Sequence, residues 1–204
     1  MPPSNDAPLF WIFAGPNGSG KSTAYGRTDP ERANRPFWII NPDLLTKQIQ
    51  ETENLDLRTA NIEAVTRLEG WLEATIRVHR SLGVETVLST DKYRRLVTLA
   101  KSLGFGMRLF YVVLNSPELN VERVRRRVAH GGHDVPADKI VDRYWRSLAQ
   151  MPWFLDQADV ADIYDNSGAE ISLIASKRNG VVELHDASIP AVAEAVMLAR
   201  GKAP

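Results

Sequence analysis

The chain has 204 residues, 44% hydrophobic and 25% charged, which describes one ordinary folded domain and excludes collagen-like, disordered and disulfide-stapled classes. Its 25 Lys plus Arg balance 25 Asp plus Glu, so no bulk positive field exists to hold nucleic acid or an anionic membrane, and any anion site is local. The absence of cysteine removes thiolate catalysis, disulfides and Cys-based zinc sites and fits a reducing compartment.

Met1 to Pro8 carries no basic residue, and the first apolar run is short, so the N-terminus reads as neither signal peptide nor membrane span; the expected address is the cytoplasm. That run, Leu9 to Ala14, is bounded by Pro8 and Gly15 and predicts a buried strand. A second strand is expected over 37–40, with Asn41 or Asp43 placed to cap the helix that follows. From about Leu57 to Leu82 the apolar positions Ile62, Val65, Leu68, Leu72 and Ile76 fit one helical face, and Gly83 is the expected stop. A strand over 84–90, a helix over 92–103 and a strand over 107–114 come next, the last with the strongest β composition.

Pro117 suits the first turn of a helix reaching His130; Gly131 and Gly132 break it, and another helix is expected over 136–150. The break marks 117–150 as a candidate mobile lid. Strands over 161–165, 171–175 and 181–184 and a helix over 189–200 close the chain. Trp38, Trp71, Trp145 and Trp153 are expected to pack in the core or lid. The β-α-β alternation implies a mostly parallel sheet with helices on both faces, a P-loop NTPase-type three-layer α/β/α sandwich in a single domain over 1–204.

The chemistry concentrates in Gly15 to Ser22, which satisfies G-x-x-x-x-G-K-[ST] directly after a predicted strand and before a predicted helix. Glycines let backbone N–H groups curl around phosphate oxygens, and the helix N-terminus adds its positive end. Gly15, Asn17, Gly18, Ser19, Gly20, Lys21, Ser22 and Thr23 are therefore the expected nucleotide contacts, with Lys21 reaching the β/γ-phosphates and Ser22 a Mg²⁺ ligand. The glycine spacing is not that of the dinucleotide fingerprint, so NAD is disfavoured.

Other templates for a bound nucleotide fail. The best apolar strand, Leu109 to Leu114, runs into Asn115 and Ser116 rather than into the acids of a motor ATPase, no ABC signature segment is present, and no Asn-Lys-x-Asp tetrapeptide reads guanine. A small-molecule kinase needs a carboxylate to accept the acceptor's proton and arginines to neutralise charge in transfer, and both have candidates. Asp43 follows the second strand at the carboxyl edge of the sheet, where it serves as general base or merely as a helix cap. Arg123 and Arg127 share a helical face and Arg143 lies beyond the glycine break, as transfer arginines or a solvated basic face. Glu85, Thr90 and the lid residue His133 are candidate acceptor contacts, Glu85 because an acid within an apolar strand needs a partner or else points to solvent at an edge; Asp91 lies at the same functional edge or simply caps the next helix. His130 and His133 lack a third ligand at zinc spacing.

Ala14 to Thr23 with Asn41-Pro42-Asp43, Glu85 to Ser89, Arg123 to Pro136 with its Gly131-Gly132 pair, Arg143 to Leu148 and Asp165 to Ser167 together resemble the zeta-toxin-like P-loop kinases, and most strongly their compact bacterial members. The resemblance covers about residues 9–168 and rests on the ordered set, the P-loop alone being unspecific. It implies ATP- and Mg²⁺-dependent phosphorylation of a nucleotide sugar, typically UDP-N-acetylglucosamine at a hydroxyl, and an antitoxin protein as a class of partner. By position it makes Asp43 the general base, Lys21 the P-loop lysine, Glu85 an amino-sugar contact and Asn166 a neighbour of the adenine. The family's second lid arginine aligns near His133, leaving Arg127 and Arg143 as its substitutes, and Val87 stands where the toxins place a substrate-binding Thr. Two other readings stand beside it: a nucleotide-binding interaction module with slow ATP hydrolysis, and a polynucleotide 5′-hydroxyl kinase, against which the neutral net charge argues.

Overall fold

Apolar runs punctuated by Gly, Pro and Asn resolve into β1 (Leu9–Ala14), α1 (Lys21–Tyr25), β2 (Trp38–Ile40), α2 (Pro42–Glu53), α3 (Leu57–Arg77), β3 (Leu82–Thr86), α4 (Arg94–Ser102) and β4 (Gly106–Val113). They continue as α5 (Pro117–Ala129), α6 (Ala137–Gln157), β5 (Val160–Asp165), β6 (Ser172–Arg178), β7 (Val181–Leu184) and α7 (Pro190–Arg200). The structure is a computed structural model and describes residues 7–25, 38–132 and 134–200, leaving aside the side chains of Tyr25, Trp38, Asp43 and Arg200.

The strands form one sheet in the order β2-β3-β1-β4-β5-β6-β7, with β2 through β5 parallel and β6 and β7 antiparallel. Ile40, Val84, Ile12 and Leu109 stand level across β2, β3, β1 and β4, so the carboxyl ends of these strands share one edge. Connections leaving that edge meet over the sheet, which is where open α/β folds bind ligands.

The two faces are covered unequally. Phe10, Ile12, Val84, Leu109, Tyr111 and Ile163 carry one face into a core filled by Leu72 and Ile76 of α3, Leu96 and Val97 of α4, Leu148 and Phe154 of α6, and Val192 and Val196 of α7. Each large aliphatic side chain fully buried there stabilises the fold by roughly 1.5–3 kcal/mol. The opposite face bears a row of rings, with Trp11 stacked on Phe13 at 5.6 Å and Phe110 against Tyr164 at 4.8 Å, packed among the described residues by Ala24 of α1.

Element boundaries depart from the sequence reading where a stop signal is not glycine. The long helix ends at Arg77, not Leu82: His79 takes φ 55, its N–H bonds Ile76 O and the Arg80 N–H bonds Thr75 O, a Schellman closure with histidine in the left-handed position. Gly83 accordingly lies inside β3, and Val87 to Thr90 form a loop after it rather than its second half. At α4 the cap position falls to Tyr93 without a side-chain bond, so Asp91 does not cap that helix. The helix expected over 136–150 runs on to Gln157, through Pro152. Of the tryptophans, Trp71 and Trp145 are surface residues, Trp153 is half-buried against the Arg94 guanidinium, and Trp38 lies outside the described side chains.

Candidate active site

β1 ends at Ala14 and the chain turns at once into the loop 15–20. Gly15 has φ 140, and a Cβ on it would stand 1.9 Å from the Val112 carbonyl oxygen of β4, so only glycine lets the loop leave the sheet this closely. Gly18 and Gly20 are also left-handed, and Ser19 N–H closes a turn onto Pro16 O at 3.3 Å. The Lys21 ammonium reaches back over the loop to Gly15 O at 2.7 Å and Pro16 O at 3.0 Å. Asn17, Ser19 and Lys21 are buried, whereas Ser22 and Thr23 on the first turn of α1 are open to solvent.

Two amides from elsewhere hold the loop carbonyls. Asn120 of α5 donates to Asn17 O at 2.5 Å, and Asn166, just past β5, donates to Ser19 O at 2.8 Å. Arg123, almost one turn after Asn120, donates to the Asn166 carbonyl at 2.7 Å. Ser167 is pinned beside it by the Asp165 carboxylate and accepts from the Asn115 N–H at 2.7 Å.

Glu85 is buried in β3, opposite Phe13 of β1, and accepts the Ser22 hydroxyl at 3.0–3.1 Å on its two oxygens. The strand that presents an acid to the P-loop serine is therefore β3, next to β1 on the side away from β4. The other neighbour of β1, β4, runs into Asn115 and Ser116 and presents no acid there. Two hard oxygens, a hydroxyl and a carboxylate, suit Mg²⁺, and the glycine-lined backbone concavity with Lys21 suits the phosphates of a nucleotide.

The remaining predicted residues lie around this centre. Ile40 is level with Val84, so the chain leaving β2 reaches the edge of the sheet beside Glu85, and Asp43 lies in the first turn of α2 there; its side chain is outside the described set. Thr90 is exposed in the loop after β3. That loop has Leu88 buried in the left-handed region at φ 59, with its N–H on Thr86 Oγ1 at 3.0 Å.

Gly131 and Gly132 close α5 in a Schellman motif: Gly131 N–H bonds Val128 O and Gly132 N–H bonds Arg127 O. A Cβ on Gly132 would stand 2.5 Å from Arg127 Cγ, so the glycine makes room for the stem of the exposed Arg127. Arg143 is half-buried on α6 and has no hydrogen bond or ion pair among the described residues. His133 lies outside the described residues. Of the other arginines here, Arg126 pairs with Glu122 on the surface.

α6 is docked by buried hydroxyls. Tyr144 donates to Leu114 O at 2.8 Å, and Ser147 donates to Val87 O at 2.7 Å while lying 2.8 Å from the Tyr111 hydroxyl. Burial, with the Asp165 and Glu118 carboxylates nearby, pushes the Tyr144 phenol up to about 12, and burial raises Tyr111 further. Neither Asn120 nor Ser147 was among the predicted residues. Asn120 has a signal in hindsight, a polar side chain among Pro117, Val121 and Val124 on the buried side of α5.

Comparison with known proteins places this geometry. Residues 10–151 match the family model of the AAA domain. An uncharacterized protein of Haemophilus influenzae is 32% identical over 133 residues, which are 65% of this chain and 90% of that protein. The fold superposes on a chain of the AvrRxo1-ORF1:AvrRxo1-ORF2 complex, solved with sulphate ions and with ATP, at TM-score 0.71 and 15–17% identity over 90% of this chain. The chain spans 62% of the length of that structure. A chain of the PezAT toxin-antitoxin system of Streptococcus pneumoniae matches at TM-score 0.59 and 18% identity over 84% of this chain and 72% of that one. These structures share the α/β P-loop architecture. As the family model runs from β1 through most of α6, the protein belongs to the AAA domain family, with a P-loop kinase-like fold.

Proposed function

We propose that the protein is an ATP- and Mg²⁺-dependent kinase that phosphorylates a hydroxyl of a nucleotide sugar, a UDP-N-acetylglucosamine-like acceptor. The observation that carries the kinase reading is the Ser22–Glu85 pair beside the Lys21 loop, one strand away from the turn that bears Asp43. The sugar acceptor rests on the ordered motif set from Ala14 to Ser167 that resembles the zeta-toxin-like kinases.

In this reading the loop N–H groups and Lys21 take the β- and γ-phosphates, Lys21 turning from the Gly15 and Pro16 carbonyls toward them. Ser22 and Glu85 hold Mg²⁺, which when bound neutralises phosphate charge. Asp43 accepts the acceptor's hydroxyl proton as that oxygen bonds to the γ-phosphorus, and the bond from the γ-phosphorus to the β–γ bridging oxygen breaks to release ADP. Arg143 and Arg127 neutralise charge on the transferring group when the 117–150 lid closes, Arg123 and Asn166 border the adenine, and Thr90 and His133 are the remaining acceptor contacts. A protein partner of the antitoxin kind belongs to the same proposal, supported by the occurrence of this fold in the AvrRxo1-ORF1:AvrRxo1-ORF2 complex and the PezAT system.

The test is ADP release with Mg-ATP across UDP-sugars, nucleosides, polyols and 5′-hydroxyl RNA. Stimulation by one UDP-sugar is expected, and Asp43→Ala should lower turnover by about 10²–10⁴-fold while sparing ADP binding. Lys21→Ala should abolish turnover as well. Near-normal turnover in Asp43→Ala removes it as the base, stimulation by RNA alone makes the protein a polynucleotide kinase, and ATP binding with no acceptor-dependent release makes it an interaction module.

A further inference from the structure

The carbonyls of the nucleotide loop are held outward by donors that come from two separate parts of the chain. Asn120, with 0% exposure, donates to Asn17 O, and Asn166 donates to Ser19 O. In a planar trans peptide the C=O and the following N–H point in opposite directions. Holding Asn17 O and Ser19 O outward therefore aims the N–H groups of Gly18 and Gly20 into the concavity of the loop, where a phosphate oxygen would accept them.

The two donors are themselves joined. Arg123, on the same helix as Asn120, donates to the Asn166 carbonyl, so α5, the loop and the segment after β5 close a ring of hydrogen bonds. The fit leaves no slack: a Cβ on Gly18 would stand 2.8 Å from Asn120 O and 3.0 Å from Val124 Cγ2, and one on Gly20 would stand 2.4 Å from Asn166 Nδ2. Asn120 is also a costly residue for mere packing. Its Oδ1, like that of Asn17, is buried with no donor among the described residues, a penalty that an aliphatic side chain in α5 would avoid. What the amide supplies in return is the bond to Asn17 O.

We propose that Asn120 and Asn166 are positioning residues that clasp the nucleotide loop from two sides and keep its Gly18 and Gly20 N–H groups aimed at phosphate. The inference rests on the nucleotide-binding reading of the loop; it adds Asn120 to it and gives Asn166 a second role, both acting through the loop backbone rather than on the reacting atoms. Because Asn120 sits on the helix whose last turn carries Arg127 and which the glycine pair closes, the same clasp ties the loop to the start of the lid segment.

The test uses inorganic tripolyphosphate and ADP as probes, titrated calorimetrically into the full chain. Asn120→Ala should weaken both by the same factor, about tenfold, since the lost orientation concerns phosphate and not the base. Asn120→Asp distinguishes orientation from packing: its carboxylate faces a carbonyl oxygen, whereas its protonated form regains a donor. Its affinity relative to wild type should therefore recover between pH 8 and pH 5.5, with no such recovery in Asn120→Ala. Unchanged tripolyphosphate affinity in folded Asn120→Ala overturns the clasp, as does a pH-independent loss in Asn120→Asp. If Asn120→Ala does not fold, the pH series on Asn120→Asp decides alone. Wild-type protein that binds neither probe brings down the nucleotide reading itself, whereas wild-type binding with unaltered variants brings down the clasp only.

Discussion

The nucleotide loop and the lid segment are held in opposite ways. Between Gly15 and Gly20 the carbonyls of Gly15, Pro16, Asn17, Ser19 and Gly20 all carry donors, from Lys21, Asn120, Asn166 and the first turn of α1. Arg143, by contrast, has no side-chain partner among the described residues, and Arg127 stands exposed in the last turn of α5. A rigid loop loses little freedom when phosphate binds, whereas under the proposed lid closure the arginines act only in transfer, so the division separates affinity from turnover. The largest effect comes from breaking the rigid half at its root. Gly15→Ala places a methyl 1.9 Å from Val112 O at a φ of 140, and should lower the melting temperature by roughly 10 °C or more in thermal unfolding. A variant that melts within 2 °C of wild type by this rule of thumb would mean the loop can move off β4, and that half is not rigid.

Removing a lid arginine should leave the fold alone. Arg143→Ala removes a side chain with no hydrogen bond or ion pair among the described residues, so melting should shift by no more than about 1 °C. Turnover with whichever acceptor the ADP-release panel identifies should fall by about 100-fold while ADP affinity stays within about threefold. Equal losses in affinity and turnover would place Arg143 with the nucleotide contacts and erase the division between the halves.

The rigid half was far more legible in the sequence than its supports. Gly15 to Ser22 announces itself because the backbone conformation demands glycine and the chemistry demands Lys21 and Ser22 at fixed spacing. Gly131 and Gly132 mark the end of α5 for the same reason, although the sequence cannot distinguish a Schellman cap from a hinge. His79 ends α3 with no comparable signal, because a non-glycine residue rarely takes a left-handed φ. Glu85 stood out as an acid in an apolar strand, but its partner depends on β3 lying next to β1, and strand order is a tertiary fact. Asn120 and Asn166 reach the loop across 103 and 147 residues of chain, which no local pattern records.

Between the halves stands α6, which carries Arg143 and is bolted to the strand ends by Ser147, and here the smallest effects test how the two are joined. Ser147 has one hydroxyl proton and commits it to Val87 O, so the Tyr111 hydroxyl 2.8 Å away must be the donor to Ser147 Oγ. Burial raises the Tyr111 phenol above its ordinary value, so it stays protonated and keeps donating through neutral and mildly alkaline pH. Ser147→Ala strands the half-buried Val87 O and the buried Tyr111 hydroxyl, and should cost about 2–3 kcal/mol in urea unfolding. Tyr111→Phe leaves the Ser147 to Val87 bond intact and empties only an acceptor site on Oγ, so it should cost about 1 kcal/mol. The order matters more than either size, because it reports which bond carries the strand-end loop with its left-handed Leu88. If Tyr111→Phe proves the costlier, the proton runs the other way, from Ser147 to Tyr111, and Val87 with the loop beside Glu85 is held by packing rather than by α6.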